Sequence, residues 1–146
     1  MRSFVWALRG IAYCIRSQRN MRIHLCMAFY VVSAGLITNI SNAQWTSVLI
    51  CIGAVTALEC VNTALEQLCD AVHPDKSPAI AHVKDASAGA VLLAAIASTC
   101  VGGVIFFNSE KVSALIDFFK SETVLIIPAV LSLILAALFV KGGKKR

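Results

Sequence analysis

Four long apolar runs divide this chain of 146 residues. They cover residues 23–40, 45–68, 86–107 and 123–140, and each is close to the roughly 20 residues that cross the hydrocarbon core of a bilayer. The connecting segments read NISNAQ, HPDKSP and NSEK, and such polar clusters are typical of turns and helix caps. The pattern predicts an all-α membrane bundle with four transmembrane helices.

A different pattern precedes the first run. Phe4, Leu8, Ile11 and Ile15 recur at helical spacing, and arginines recur every seven residues on another face. This pattern predicts an amphipathic helix that lies flat on the inner membrane surface. An ordinary basic flank that only sets the topology explains the pattern about as well. A cleavable signal peptide is disfavoured, because the basic region is long and helically patterned.

Composition and charge then suggest the orientation in the membrane. The chain is 58% hydrophobic and 14% charged, whereas a soluble domain carries about 25% charged residues. Basic residues cluster before the first run and after the last, which predicts that both termini are cytoplasmic. The net charge of +5 therefore suits an anionic inner leaflet, and we expect no nucleic-acid partner. The six cysteines and three histidines lack metal or disulfide spacing, and histidines near span ends are taken as solvated or headgroup-facing.

The second run ends in a stripe of polar residues, ECVNTALEQLCD at positions 59–70. At 100° per residue, the acids and the asparagine of this stretch fall on one narrow helix face. If the helix starts at Trp45 near the outer interface, Glu59 lies roughly 21 Å along it, about 9 Å short of the inner edge of a ~30 Å core. Glu66 reaches that edge and Asp70 lies beyond it. The stripe thus leads from just inside the membrane into the cytoplasm.

Three interpretations of this stripe compete. Burying a lone carboxylate at that depth costs several kcal/mol unless it is paired, protonated or facing a polar cavity. A helix-packing seam would explain Asn62 and Thr63, but such a seam needs no charge. An ion pathway should continue through the outer half of the run, and residues 45–58 hold nothing ionisable. We therefore interpret the stripe as a site that opens inward only.

Such a site has the parts that phosphoryl transfer needs. Carboxylates near the inner edge can serve a divalent cation, and a deeper one can take the proton of a membrane-borne hydroxyl. The chain has no G-x-x-x-x-G-K-[ST] motif, so a kinase of this design would not belong to the P-loop class. A non-enzymatic membrane protein, such as an ion-binding or transporter subunit, is the alternative from another class.

Two motifs carry a resemblance to a known family. ECVNTALEQLCD at 59–70 and KDASAGAVL at 84–92 closely resemble the prokaryotic membrane diacylglycerol kinases. The Asn-Thr-Ala form, RIH at 22–24 and the Ala-Gly-Ala-Val-Leu run are more similar to the undecaprenol kinase branch, and the similarity covers about residues 4–107. The resemblance implies a homotrimer with active sites between protomers, in the bacterial inner membrane. It also implies ATP and Mg²⁺ at the cytoplasmic face, and a lipid alcohol as acceptor, undecaprenol or diacylglycerol.

The resemblance also implies roles for individual residues. Glu59 corresponds to the catalytic base, and Glu66 to one of two metal-binding glutamates. Gln18 stands at the other metal position, where a neutral amide supplies an oxygen but no charge. The remaining implied residues surround the nucleotide and the base: Asn62, Asp70, Asp75, Lys76, Ser77, Lys84 and Asp85.

The expected domain organisation has three parts. Residues 1–22 form the surface helix, residues 23–107 a three-span lipid kinase core, and residues 108–146 an extra transmembrane helix with a basic tail. The extra span is a departure from the resemblance, because the family usually stops after three. For Asp85 we also consider a structural role, as the N-cap of the third span.

Overall fold

The structure is a computed structural model, and it describes residues 2–72 and 77–142. All regular secondary structure in these two ranges is helical. The elements in chain order are α1 (Arg2–Ser17), α2 (Arg19–Ile37), α3 (Asn42–Val72), α4 (Pro78–Phe106), α5 (Ser109–Ser121), a 3-10 turn (Thr123–Leu125) and α6 (Ile126–Lys141).

Four helical segments in the described part of the chain are long and apolar enough to cross a membrane. They are Arg19–Ile37, Asn42–Val72, Pro78–Phe106 and Thr123–Lys141. The prediction of four transmembrane helices from the apolar runs is therefore confirmed at the level of length and composition. The helix boundaries differ from the runs, because polar residues such as Arg19 and Asn42 continue a helix beyond its apolar part.

The turn between α2 and α3 depends on a close approach of the two helices. Asn39 adopts a positive φ of 47°, which ends α2 just after Thr38, and Asn tolerates this left-handed conformation better than most residues. A Cβ built on Gly35 would come within 2.9 Å of the Trp45 ring and 3.0 Å of Ile40. Glycine therefore lets Trp45 pack directly against the α2 backbone.

The bundle is centred on α3 and α4, which form the most extensive helix pair. At one end of this pair, Ile40, Val48 and Ile105 form a small buried apolar cluster. Large apolar side chains elsewhere face outward, and none of the residues of α6 is buried. Exposed apolar helix faces of this kind are what a protein surrounded by lipid requires.

The region after α4 contains an element that the sequence pattern did not predict. The NSEK segment after the third apolar run was interpreted as a turn or cap, whereas Ser109–Ser121 form the helix α5. Asn108 is its N-cap, and the Asn108 side chain accepts a hydrogen bond from the Lys111 backbone N–H at 2.9 Å. Lys111 Nζ in turn donates to the Thr38 carbonyl at 2.6 Å. This bond fixes α5 to the α2–α3 turn.

Candidate active site

Glu59, on α3, is the largest fully buried side chain among the described residues. Its side chain is 2% exposed. His24 Nε2, from α2, lies 3.4 Å from Glu59 Oε1, but the contact lacks hydrogen-bond geometry, and no described residue donates to this oxygen. A buried carboxylate oxygen without a donor is costly to maintain, so Glu59 is poised to accept a proton or a hydrogen bond from a bound molecule.

Glu59 lines a cleft of about 150 Å³ between three helices. The cleft is bounded by Asn20, His24, Glu59, Asn62, Ala88, Val91, Leu92 and Ala95. The α4 side chains on this wall are all apolar, and two of the four are alanines. The cleft combines one unpartnered carboxylate with an apolar wall, an arrangement suited to a lipid that carries one polar group.

Glu66 lies two helical turns beyond Glu59 and joins a hydrogen-bonded network. Gln18 Nε2 donates to Glu66 Oε2 at 3.3 Å, and Asn62 Nδ2 donates to Glu66 Oε1 at 3.1 Å. Ser87 Oγ, from α4, donates to Asn62 Oδ1 at 2.6 Å. The network therefore connects the α1–α2 junction, α3 and α4 through a single carboxylate.

An ion pair lies farther along the same face of α3. Lys84 Nζ donates to Asp70 Oδ1 across the α3–α4 pair. Both side chains are partly exposed, at 34% for Lys84 and 63% for Asp70. Exposed pairs of this kind contribute little to stability, so both groups remain available to a charged ligand.

The structure describes only some of the residues that the resemblance implies for nucleotide binding. Ser77 is the N-cap residue of α4, without a side-chain capping bond, and Asp85 is exposed on α4. The interpretation of Asp85 as the N-cap of this helix is wrong, because α4 begins at Pro78, two turns earlier. Asp75 and Lys76 lie outside the described residues.

The structure adds residues to the site that the sequence analysis did not select. His24 was taken as a headgroup-facing histidine, but it lies against Glu59 in the interior. Asn20 lines the same cleft one turn earlier on α2, and Ser87 orients Asn62. The i, i+4 spacing of Asn20 and His24 at the start of an apolar helix was the available signal.

The oxygen donors around Glu66 suit Mg²⁺ carried by a nucleotide. Within residues 2–72 and 77–142, no three His, Cys, Asp or Glu side chains come together as a metal cage. Mg²⁺ is usually held by one or two carboxylates together with waters and substrate phosphates. Glu66 supplies one such carboxylate, and Gln18 offers an amide oxygen once its side-chain amide is reversed. The residues present therefore fit a Mg²⁺–phosphate group better than an ion bound by protein alone.

Comparison with known proteins assigns this chain to a family. The family model for prokaryotic diacylglycerol kinase matches residues 5–106. An undecaprenol kinase from Bacillus subtilis is 36% identical over 105 residues, which cover 72% of this chain and 85% of that protein. A diacylglycerol kinase from Synechocystis sp. is 36% identical over 104 residues, covering 70% of this chain and 59% of that protein. No solved structure matches.

The matched region contains the whole site from Gln18 to Ala95, whereas α5 and α6 lie beyond it. The comparisons decide against the non-enzymatic alternative. The chain belongs to the prokaryotic diacylglycerol kinase family and is a lipid kinase.

Proposed function

We propose that the protein transfers the γ-phosphoryl group of ATP to the hydroxyl of a membrane lipid alcohol, with Mg²⁺, at the cytoplasmic face of the bacterial inner membrane. The observation that carries this proposal is Glu59, buried at 2% exposure with a donor-free oxygen in a cleft that α4 lines with apolar side chains. Both named relatives are kinases whose names specify a lipid alcohol. The acceptor is accordingly undecaprenol or diacylglycerol.

Helix length supports this placement in the bilayer. α3 has 31 residues and is therefore about 46 Å long, whereas the hydrocarbon core is about 30 Å thick. If Asn42 lies at the outer interface, Glu59 lies about 26 Å along the helix, just inside the inner edge of the core. Glu66 and Asp70 then lie beyond that edge. A lipid hydroxyl at headgroup level reaches Glu59, while a nucleotide reaches the outer part of the stripe from the cytoplasm.

Glu59 acts as the general base in the proposed reaction. Its free oxygen accepts the proton of the lipid hydroxyl, and the hydroxyl oxygen forms a bond to the γ-phosphorus of ATP. The bond between that phosphorus and the β–γ bridging oxygen breaks, and ADP leaves. His24 lies beside the carboxylate, with Nε2 3.4 Å from Oε1. The apolar wall of α4 excludes water, which would otherwise compete as acceptor.

The second group of residues binds the nucleotide. Glu66 and Gln18 would hold the metal that accompanies ATP, and Asn62 orients the Glu66 carboxylate by a hydrogen bond. Mg²⁺ bound there would neutralise phosphate charge. Lys84 supplies positive charge for the phosphates, near Asp70. Asp75, Lys76, Ser77 and Asp85 complete the nucleotide contacts in this proposal, on the strength of the family resemblance.

The wider arrangement is also part of the proposal. α1 lies flat on the inner surface, where its exposed Phe4, Trp6 and Leu8 contact acyl chains. Three copies assemble into a homotrimer. The surface helix expected over residues 1–22 is confined to α1, because Arg19–Arg22 already belong to α2, and the added span lies within residues 108–146. Exposed apolar residues along α3 and α4, among them Val61, Leu92 and Leu93, provide a surface for neighbouring copies. Chemical cross-linking of the purified protein in bicelles tests the trimer, and a ladder that ends at dimer would contradict it.

A direct assay tests the activity. Purified protein in lipid bicelles is incubated with γ-labelled ATP, Mg²⁺ and either undecaprenol or diacylglycerol, and the extracted lipids are analysed. We expect label on at least one lipid, and the ratio of the two rates identifies the acceptor. Glu59→Gln should reduce the rate of labelling by about 10² or more, whereas Glu110→Gln, the same change on the exposed start of α5, should not reduce it. Absence of label on both lipids with folded wild-type protein would overturn the proposal.

A further inference from the structure

Arg22 is a buried cation that the proposed reaction does not use. It lies in the first turn of α2 with a relative exposure of 5%. Among the described residues no carboxylate lies within ion-pair distance of it. A buried charge without a counter-ion needs several hydrogen bonds to offset its desolvation. The hydrogen-bond partners of Arg22 therefore indicate which structural role the buried cation has.

Within the described ranges, the Arg22 guanidinium bonds only to main-chain carbonyls, and these lie at two helix ends. Nη1 donates to the carbonyl oxygens of Ile15 at 3.0 Å and Arg16 at 3.1 Å, in the last turn of α1. Nε and Nη2 both donate to the Val140 carbonyl oxygen at 3.4 Å, in the last turn of α6. These carbonyls lack intrahelical donors and carry the negative end of the helix dipole. The planar fork of arginine serves both ends at once.

The contact with α6 is part of a regular antiparallel pairing. Arg22 on α2 meets Val140 on α6, and Tyr30 OH lies 3.3 Å from Ser132 Oγ. The two contacts are eight residues apart on both helices, so α6 runs back along α2 in constant register. Arg22 belongs to the region shared with the kinase family, whereas Val140 lies outside it. The added span thus contributes an acceptor to a buried residue of the region that matches the family.

The same turn of α2 carries the site on its other side. Asn20 and His24 line the Glu59 cleft, and residues two positions away on a helix point in nearly opposite directions. Gln18, the N-cap residue of α2, contacts Glu66 at 3.3 Å. Gln18 directly follows the last residue of α1, and Arg22 is hydrogen-bonded to the carbonyls of this last turn. The direction of the chain at this junction decides whether Gln18 reaches Glu66.

We propose that Arg22 is a positioning residue, and that α6 assists the kinase core by holding Arg22 through the Val140 carbonyl. The clamp, defined as Arg22 with its Ile15, Arg16 and Val140 acceptors, fixes the α1–α2 junction and keeps Gln18 against Glu66. This inference rests on the proposed role of Gln18 and Glu66 in binding Mg²⁺–ATP. It assigns a function to the added span that the family match does not cover.

Variants of the full-length chain test the clamp. Arg22→Gln removes the fork, and Val140→Pro displaces the last turn of α6, whereas Val140→Ala leaves the carbonyl in place. We expect Arg22→Gln and Val140→Pro each to raise the KM for Mg²⁺–ATP about tenfold, with a smaller change in kcat. The double variant should be no worse than either single one, because both remove the same interaction. Additive effects, or an unchanged KM in folded Arg22→Gln, would overturn the proposal.

A matched control separates the clamp from general packing of α6. Tyr30→Phe removes the other polar contact between α2 and α6, and it should leave the KM unchanged. If Arg22→Gln does not fold, Arg22→Lys replaces it, because it keeps the charge but cannot bond both helix ends. A KM increase in Tyr30→Phe equal to that in the Arg22 variant would mean that helix packing alone matters, and would refute the clamp.

A structural readout is independent of the kinase reaction. Hydrogen exchange of the backbone amides of residues 14–22 should accelerate in Arg22→Gln and Val140→Pro, and not in Val140→Ala or Tyr30→Phe. This measurement remains valid if the wild-type protein phosphorylates neither lipid, an outcome that would overturn the proposed function only. Wild-type exchange rates in both clamp-disrupting variants would overturn the clamp only.

Discussion

Gln18 lies against Glu66 although 48 residues separate them in the chain: Gln18 Nε2 is 3.3 Å from Glu66 Oε2. The contact links the N-cap of α2 to the polar stripe of α3. An amide beside the carboxylate satisfies it by hydrogen bonding, whereas a second carboxylate would repel it unless a cation lay between them. The pair therefore offers a direct test of the proposed metal site.

Replacing Gln18 by glutamate should change the dependence on Mg²⁺. Gln18→Glu adds a carboxylate beside Glu66, and we expect a lower Mg²⁺ concentration for half-maximal rate. Without Mg²⁺ the variant should unfold at a lower temperature than wild type, because two like charges then face each other. Gln67→Glu is the control, since Gln67 is exposed and adjacent. An unchanged Mg²⁺ dependence in Gln18→Glu would mean that this position does not contact the metal.

The two glutamates of α3 should have distinct kinetic signatures. Glu59→Gln keeps the shape of the side chain but cannot take a proton, so kcat should fall by about 10² or more, with little change in the KM for Mg²⁺–ATP. Glu66→Gln should instead raise that KM, because it removes the carboxylate proposed to hold the metal. Steady-state kinetics with varied Mg²⁺–ATP distinguish these effects. Near wild-type turnover in folded Glu59→Gln would refute the assignment of the base.

Replacing Gly35 by alanine should lower the stability of the bundle, whereas the same change at Gly53 should not. Gly35→Ala would bring a Cβ within 2.9 Å of Trp45 and 3.0 Å of Ile40, and such overpacking costs about 1–3 kcal/mol. Gly53 has nothing within 4 Å of an added Cβ, so Gly53→Ala should be neutral or stabilising, given the higher helix propensity of alanine. Thermal unfolding in detergent measures both. Equal unfolding temperatures for the two variants would show that the Trp45 side chain moves aside without loss of stability.

The orientation in the membrane can be tested from both ends of the chain. The clamp at Arg22 brings the start of α2 and the end of α6 to the same end of the bundle, and the basic clusters predict that this end is cytoplasmic. Single cysteines in a cysteine-free background should be labelled from outside in segments 39–44 and 108–122, and from inside at Arg2 and Arg146. Labelling of Arg146 from outside would contradict four spans.

The polar stripe and the number of spans were predictable from the sequence because both are local properties. Apolar length identifies a membrane span without knowledge of its neighbours, and the 3.6-residue period places Glu59, Asn62 and Glu66 on one face of α3. The order of depth along α3 follows from the rise per residue. The absence of charge in residues 45–58 likewise predicts on which side the site opens.

Tertiary structure alone decided which side chains meet that stripe. His24 lies against Glu59 and Ser87 against Asn62, each across a helix–helix interface. The contact of Gln18 with Glu66 is the exception, because the family resemblance already implied it. α5 is a helix because Asn108 caps it, and its position depends on the bond from Lys111 to Thr38. The side of the bundle on which α6 packs could not be predicted from its own sequence, since α6 is apolar all round and has no preferred face. The pairing of Arg22 with the Val140 carbonyl could not be predicted either, because every residue has a backbone carbonyl. Only the packing of α6 on α2 determines which carbonyl accepts the bond.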